Sequence, residues 1–205
     1  MQIINQKKSN AVDVAIDFLQ RGKVICFATD TVYGVAVDAT STSAVERLYQ
    51  LKNREKNKPI AIFLKDLKSA KKLFIFNDLA EEIVEKYTPG GITIILKTTN
   101  FAKKILAKNL NNIDDDFIGF RIVDSFFIRK LFEKYNGILA VSSANKAFEN
   151  ACTSPSLVKK NLTNLDLLIS GKKTSKISST IVKISENKLT LIRQGKINLK
   201  EYVDK

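Results

Sequence analysis

Four short polar clusters in this chain hold residue types that bind anions, and each abuts an apolar run. The first is Thr29-Asp30-Thr31 with Tyr33, which interrupts the stretch "FATDTVYGVAVDA". The second, "LKNREKNKP", places Lys52, Arg54, Lys56 and Lys58 within seven residues. Cations this close in one loop make a seat for a di- or triphosphate, arginine through its planar fork and lysine as a point charge. The third is "SSAN", Ser142 to Asn145, and the fourth pairs "SST", Ser178 to Thr180, with Arg193 in "LIRQG". Each has a plainer reading. Serine and threonine mostly serve turns and helix caps, and a lysine-rich loop is mostly a solvated one. One count favours chemistry: the chain uses lysine 28 times and arginine 6 times, yet Arg54, Arg121 and Arg193 all adjoin these clusters.

What is missing narrows the chemistry further. The chain has no histidine, which removes the usual general base near neutral pH and the commonest metal ligand. Ser-His and Cys-His nucleophilic catalysis are excluded. An enzyme made from these residues works by positioning and charge stabilisation. The acidic run Asp114 to Asp116 reads as a solvated loop, because three consecutive carboxylates converge poorly on one Mg²⁺. No "GxxxxGK" and no "GxGxxG" is present, so no metal or familiar nucleotide loop is assigned. A net charge of +13 favours a polyanionic partner or substrate, or a solvated lysine coat.

The elements that must position these clusters come from a chain of 205 residues, 44% of them hydrophobic. That is enough for one sizeable core, and residues 1–205 are expected to form one domain. Cys26 and Cys152 allow one bridge at most and have no ligand-like spacing. There is no apolar run of the roughly 20 residues that span a bilayer and no secretory signal, so a cytoplasmic location is expected. Helices are predicted over Ala11–Leu19, from a capping box on Ser43-Ala44-Val45-Glu46, from Asp66 or Ser69, from Asp78, over Ser125–Tyr135 and from Ser154-Pro155. Strands are predicted over Lys23–Ala28, "PIAIFL", Ile92–Thr98, Phe117–Val123, Ile138–Ser143, "LDLLIS", "TIVKI" and "LTLIR". Helices and strands alternate and strands then cluster, which points to the α/β class: a twisted mixed open sheet flanked by helices. Ligands of such sheets bind in loops just beyond strand ends.

Taken together, the clusters resemble the YrdC family, the threonylcarbamoyl-AMP synthases also called TsaC. The resemblance runs from about Lys7 to Ile197. The family's P-T-E/D-T-V-Y-G-L compares with "ATDTVYGV", and its K-x-R followed by a proline-apolar step compares with Lys52, Arg54 and "PIAIF". Its P-G-P-x-T-x-I-L compares with "PGGITIIL", its S-x-N with Ser143 and Asn145, its S-T-V with "STI", and its R-x-G with "RQG". Any one is weak; six in order at compatible spacing are specific. Ala28, Gly91, Phe63, Phe117 and the segment "KAFENACTSPS" depart from the family pattern, and the extra C-terminal domain of the longer synthases is not expected.

The resemblance implies a reaction in which L-threonine, bicarbonate or CO₂, and ATP give threonylcarbamoyl-AMP and pyrophosphate. The product supplies the N6-threonylcarbamoyl group of adenosine-37 in tRNAs that read codons beginning with A. It implies roles as well. Thr31, Arg121 and Ser179 become threonine-site residues. Lys52 and Arg54, the two residues taken as catalytic, join Lys58 in holding the ATP phosphates, and Ser143, Asn145, Thr153 and Arg193 complete the nucleotide site. Mg²⁺ is expected to arrive with ATP, and no protein-bound transition metal is expected. TsaD, TsaB and TsaE are the partners implied. A non-catalytic protein that binds double-stranded RNA or tRNA is the alternative, and the carbamoyl-adenylate chemistry of HypF ranks third.

Overall fold

The computed structural model describes residues 1–111 and 116–203. Among them, ten strands form one sheet. They are β1 (Gln2–Asn5), β2 (Ile25–Ala28), β3 (Tyr33–Asp38), β4 (Ala61–Phe63), β5 (Ile92–Lys97), β6 (Phe117–Arg121), β7 (Leu139–Ser143), β8 (Leu167–Ser170), β9 (Thr180–Ser185) and β10 (Lys188–Arg193). Their spatial order is β1-β8-β2-β3-β7-β4-β6-β5-β9-β10. The pairs β1/β8, β2/β8, β4/β6 and β5/β9 are parallel, and the others are antiparallel. The sheet is therefore open and mixed, as the order of motifs predicts.

Helices α1 (Ala11–Gln20), α2 (Thr42–Lys52), α3 (Leu67–Leu73), α4 (Asp78–Tyr87), α5 (Asn100–Ile105), α6 (Phe126–Lys134), α7 (Pro155–Asn161) and α8 (Lys200–Val203) flank it. They cover the two faces unequally, and this creates the site. Strand residues point alternately to opposite faces. On one face Val35, Ile62, Ile94, Phe120 and Val182 pack with apolar residues of α2, α3, α4, α5 and α7 in a continuous core. On the other, Ala36, Phe63, Leu139 and Val141 pack against α1 and α6, through Ala11, Ala15, Leu19, Phe127, Ile128, Leu131 and Phe132. Farther along that second face, Ala61, Thr93 and Ile181 line a cavity instead. Each fully buried aliphatic or aromatic side chain contributes roughly 1.5–3 kcal/mol, so the helix-covered parts hold the floor on which the cavity rests.

Local chemistry explains most element ends, and some departures. The cap of α2 is Ser41, whose Oγ accepts the Ala44 N–H at 3.2 Å. The box predicted on Ser43 lies two residues late, because Ser41 keeps the extended backbone a cap requires while the helix already starts at Thr42. Asp66, Asn77 and Ser154 cap α3, α4 and α7 through their side chains. Strand β1 went unpredicted: three of its four residues are exposed, so it pairs with β8 through its backbone and leaves no apolar alternation to read. Helix α5 buries only Ala102, too little to show a period. Asp114 and Asp115 lie outside the described residues; Asp116 pairs with Lys103 at 2.7 Å on the surface.

Candidate active site

The turn between β2 and β3 answers why threonines and a carboxylate stand between two buried strands. Thr29 Oγ1 donates to Val32 O at 2.7 Å and accepts the Thr31 N–H at 3.1 Å, which closes the turn. The two threonine hydroxyls are 3.0 Å apart, and both residues line the cavity. Turn and site are thus one structure. Asp30 is not part of the lining, and its carboxylate accepts from Arg121.

Arg121 ends β6, level with Phe63 of the neighbouring β4. Its Nη1 donates to Thr31 Oγ1 at 3.2 Å, and its Nη2 donates to Asp30 Oδ1 at 2.8 Å and to Gly90 O at 3.1 Å. The Phe63 ring centroid lies 5.4 Å from the guanidinium carbon, close enough for a cation–π contact. Burial lowers the pKa of Arg121, Asp30 pulls it back up, and nearby Arg193 lowers it again.

Across the cavity, Arg193 at the end of β10 donates through Nη2 to Ser179 O at 2.8 Å and to Ser179 Oγ at 3.2 Å. Ser179 Oγ is also 2.9 Å from Thr93 Oγ1. Gly195 permits this approach, because a Cβ there would lie 2.4 Å from Ser178 O. In the same way Gly34 keeps the floor low, since its Cβ would meet Val141 Cγ1 at 3.1 Å. Arg54, just after α2, donates from Nε to Lys58 O at 3.1 Å and from Nη2 to Pro59 O at 2.9 Å. Burial lowers its pKa.

Thr31, Arg54, Arg121, Ser143, Ser179 and Arg193 all line this one cavity of about 170 Å³. Six segments distant in sequence therefore converge, with three guanidiniums among them. Their mutual repulsion favours an anionic occupant. Lys52, Lys58, Asn145 and Thr153 sit behind this lining or beside it. Lys52 is 1% exposed, and its Nζ donates to the carbonyl of Ser143, to Asn145 O at 2.6 Å and to Asn145 Oδ1 at 3.3 Å. It clips the end of β7 from beneath. Burial, reinforced by Arg54, draws its pKa down to about 7. Asn145 Oδ1 also accepts Ser143 Oγ at 2.5 Å, so clip and hydroxyl form one network. Lys58 Nζ is 3.3 Å from Glu55 and 4.7 Å from the Phe148 ring centroid. Thr153 is buried, and its carbonyl accepts the Thr174 N–H at 2.9 Å.

The sequence reading leaves Phe63, Thr93 and Ile181 out of the site, Phe63 as a departure from the family pattern, yet all three line the cavity. They belong to strands, whereas the site was sought in loops beyond strand ends. Thr93 carries two signals: it is the polar residue inside the apolar run "ITIIL", and it matches the threonine of the family's P-G-P-x-T-x-I-L.

The family profile Sua5_yciO_yrdC, described as "Telomere recombination", matches residues 17–195. The chain belongs to the Sua5/YciO/YrdC family. It is 36% identical over 192 residues to the "Putative threonylcarbamoyl-AMP synthase" of Methanocaldococcus jannaschii, covering 91% of this chain and 88% of that one. With the mouse (Mus musculus) threonylcarbamoyl-AMP synthase the identity is 29% over 195 residues, covering 91% and 68%. The crystal structure of Pyrococcus abyssi Sua5 complexed with L-threonine shares the fold, with a TM-score of 0.88 at 23% identity. It matches 98% of this chain, which spans 58% of that one. The mixed sheet described above is the fold shared with that structure.

Proposed function

We propose that this chain is a threonylcarbamoyl-AMP synthase, a nucleotidyl-transferring enzyme that makes threonylcarbamoyl-AMP and pyrophosphate from L-threonine, bicarbonate or CO₂, and ATP. The observation that carries the assignment of roles is the convergence of Thr31, Arg121 and Ser179 with Arg54, Ser143 and Arg193 on one cavity. L-Threonine occupies the buried end, its carboxylate received by Arg121 beside the Thr31 hydroxyl. ATP lies toward Arg54 and Arg193, whose guanidiniums exchange main-chain carbonyls for phosphate oxygens. A cavity of about 170 Å³ is smaller than the roughly 300–1,000 Å³ of sites for drug-sized ligands, so the nucleotide extends through its open mouth.

The reaction suits a site without histidine. Once threonine is carboxylated, the carbamate oxygen is already an anionic nucleophile; it bonds to the α-phosphorus as the bond to pyrophosphate breaks. What remains for the protein is alignment and stabilisation of charge on phosphate oxygens, which fixed guanidiniums provide. Mg²⁺ would be held by the phosphates, since the lining offers hydroxyls and guanidiniums rather than carboxylates; bound there, it would screen phosphate charge. Lys52 acts from behind, holding Ser143 and Asn145 in place. The chain works as one unit in the cytoplasm, and its product passes to the tRNA-modifying proteins TsaD, TsaB and TsaE.

Incubation of the purified chain with ATP, L-threonine and bicarbonate, followed by mass spectrometry, tests this reading. The threonylcarbamoyl adenylate is expected only when all three are present. ATP consumption without it, or RNA binding without ATP turnover, would overturn the proposal.

A further inference from the structure

Asp30 stands between the two threonines of the β2–β3 turn, yet it is not among the residues that line the cavity. Its carboxylate is committed to Arg121 at 2.8 Å, and both side chains are 7% exposed. The bridge is incomplete. Asp30 Oδ2 and the Arg121 Nε–H are buried and have no hydrogen-bond partner among the described residues. A buried pair with unmade bonds is a poor source of stability, because desolvation of both charges offsets their attraction. It is better suited to fixing orientation. Nη2 and Nε form one edge of the guanidinium, and Asp30 and Gly90 O hold Nη2 on that edge. Nη1 is left on Thr31 Oγ1 at the cavity surface, with Phe63 close to the guanidinium.

We propose that Asp30 is a positioning residue for the amino-acid substrate: it holds the Arg121 guanidinium in the one orientation that receives the substrate carboxylate. This rests on the reading of Arg121 given above, and it adds a consequence that reading lacks. Selectivity for an α-amino acid over the matching amino alcohol depends on a carboxylate that never touches the ligand. Lys196, whose ammonium lies 3.2 Å from Asp30 O, binds only the main chain of Asp30, so an Asp30 side-chain substitution leaves that contact in place.

The test compares binding of L-threonine and L-threoninol, and steady-state kinetics, for wild type, Asp30→Asn and Asp30→Glu. For Asp30→Asn the threonine Kd and KM are expected to rise about tenfold or more, with the ATP KM changing less than twofold, and the preference for threonine over threoninol is expected to collapse. Asp30→Glu keeps the charge one methylene farther along and is expected to fall between, with a two- to fivefold rise. If Asp30→Asn fails to fold, Asp30→Glu decides. A threonine-selective shift supports the role; no shift, or equal shifts for threonine and ATP, overturns it. Wild type that binds neither ligand would overturn the functional reading together with this inference. Wild type that prefers threonine, with Asp30→Asn unchanged, would overturn this inference alone.

Discussion

The two walls of the cavity differ in how their arginines are held. On one wall Arg121 is buried and tied to a carboxylate, a hydroxyl and a carbonyl. On the other, Arg54 and Arg193 are more open and rest mainly on main-chain carbonyls, those of Lys58 and Pro59 for Arg54 and that of Ser179 for Arg193. On the proposed function, this difference lets one site serve two substrates. A charge-balanced, buried arginine presents a fixed shape and can discriminate a small zwitterion. Arginines resting on carbonyls give up neutral partners for ionised ones when a polyphosphate arrives, and charged acceptors make the stronger hydrogen bonds.

The largest effect should come from breaking the open wall. Arg54→Ala is expected to lower adenylate formation about 100-fold or more, about 3 kcal/mol of transition-state stabilisation, without lowering the thermal midpoint. Activity within threefold of wild type, read as pyrophosphate release at saturating ATP, would refute the phosphate role of Arg54. Thr31→Val acts on the buried wall. It deletes one hydroxyl and little volume, so the threonine KM should rise about tenfold, about 1.4 kcal/mol, with the ATP KM nearly unchanged. Equal changes in both constants would erase the distinction between the walls.

Lys52, which ties the end of β7 through Ser143 and Asn145, has a pH signature. Its folded-state pKa of about 7 lies below the ordinary value near 10.4, so between these values the unfolded chain binds more protons than the folded one. Stability contributed at this position is therefore lowest below about pH 7 and grows as pH rises toward 10, by about 1 kcal/mol per unit. Urea titrations of wild type and Lys52→Met at pH 7 and pH 9 should show the difference between them moving in favour of wild type. A pH-independent difference would mean that the clip carries its charge in the folded state as readily as in the unfolded one. The smallest effect is expected at Ser179, which touches Arg193 and Thr93 at once. Ser179→Ala should raise both KM values about threefold, about 0.6 kcal/mol each. A change confined to one substrate would assign Ser179 to a single wall.

Much of this was legible before any coordinates. The apolar runs of β2, β5, β6 and β7 and the caps on Asp66 and Ser154 are local signals, set by side-chain burial and by the geometry of a first helical turn. Five of the six expected residues that line the cavity, Thr31, Arg54, Ser143, Ser179 and Arg193, stand in the family motifs, and Arg121 stands in the strand-like run "FIGFRIV". Lys52 was the instructive case. Its sequence neighbours Arg54 and Lys58 suggested a phosphate ligand, yet as the last residue of α2 it points its ammonium at the carbonyls closing β7. Nothing local distinguishes a lysine aimed at solvent from one aimed beneath a strand.

The sequence by itself determined the residue inventory: no histidine, scarce arginine with Arg54 and Arg193 in polar clusters, and a mixed α/β pattern with room for one core. Those facts follow from composition and from periods of two and 3.6 residues. Only the tertiary structure decided that the cavity opens on one face of the sheet, that Thr93 and Ile181 floor it, and that Asp30 braces Arg121. Strand order and unequal helical cover bring those groups together across scores of residues, and long-range packing of that kind leaves no local mark on the chain.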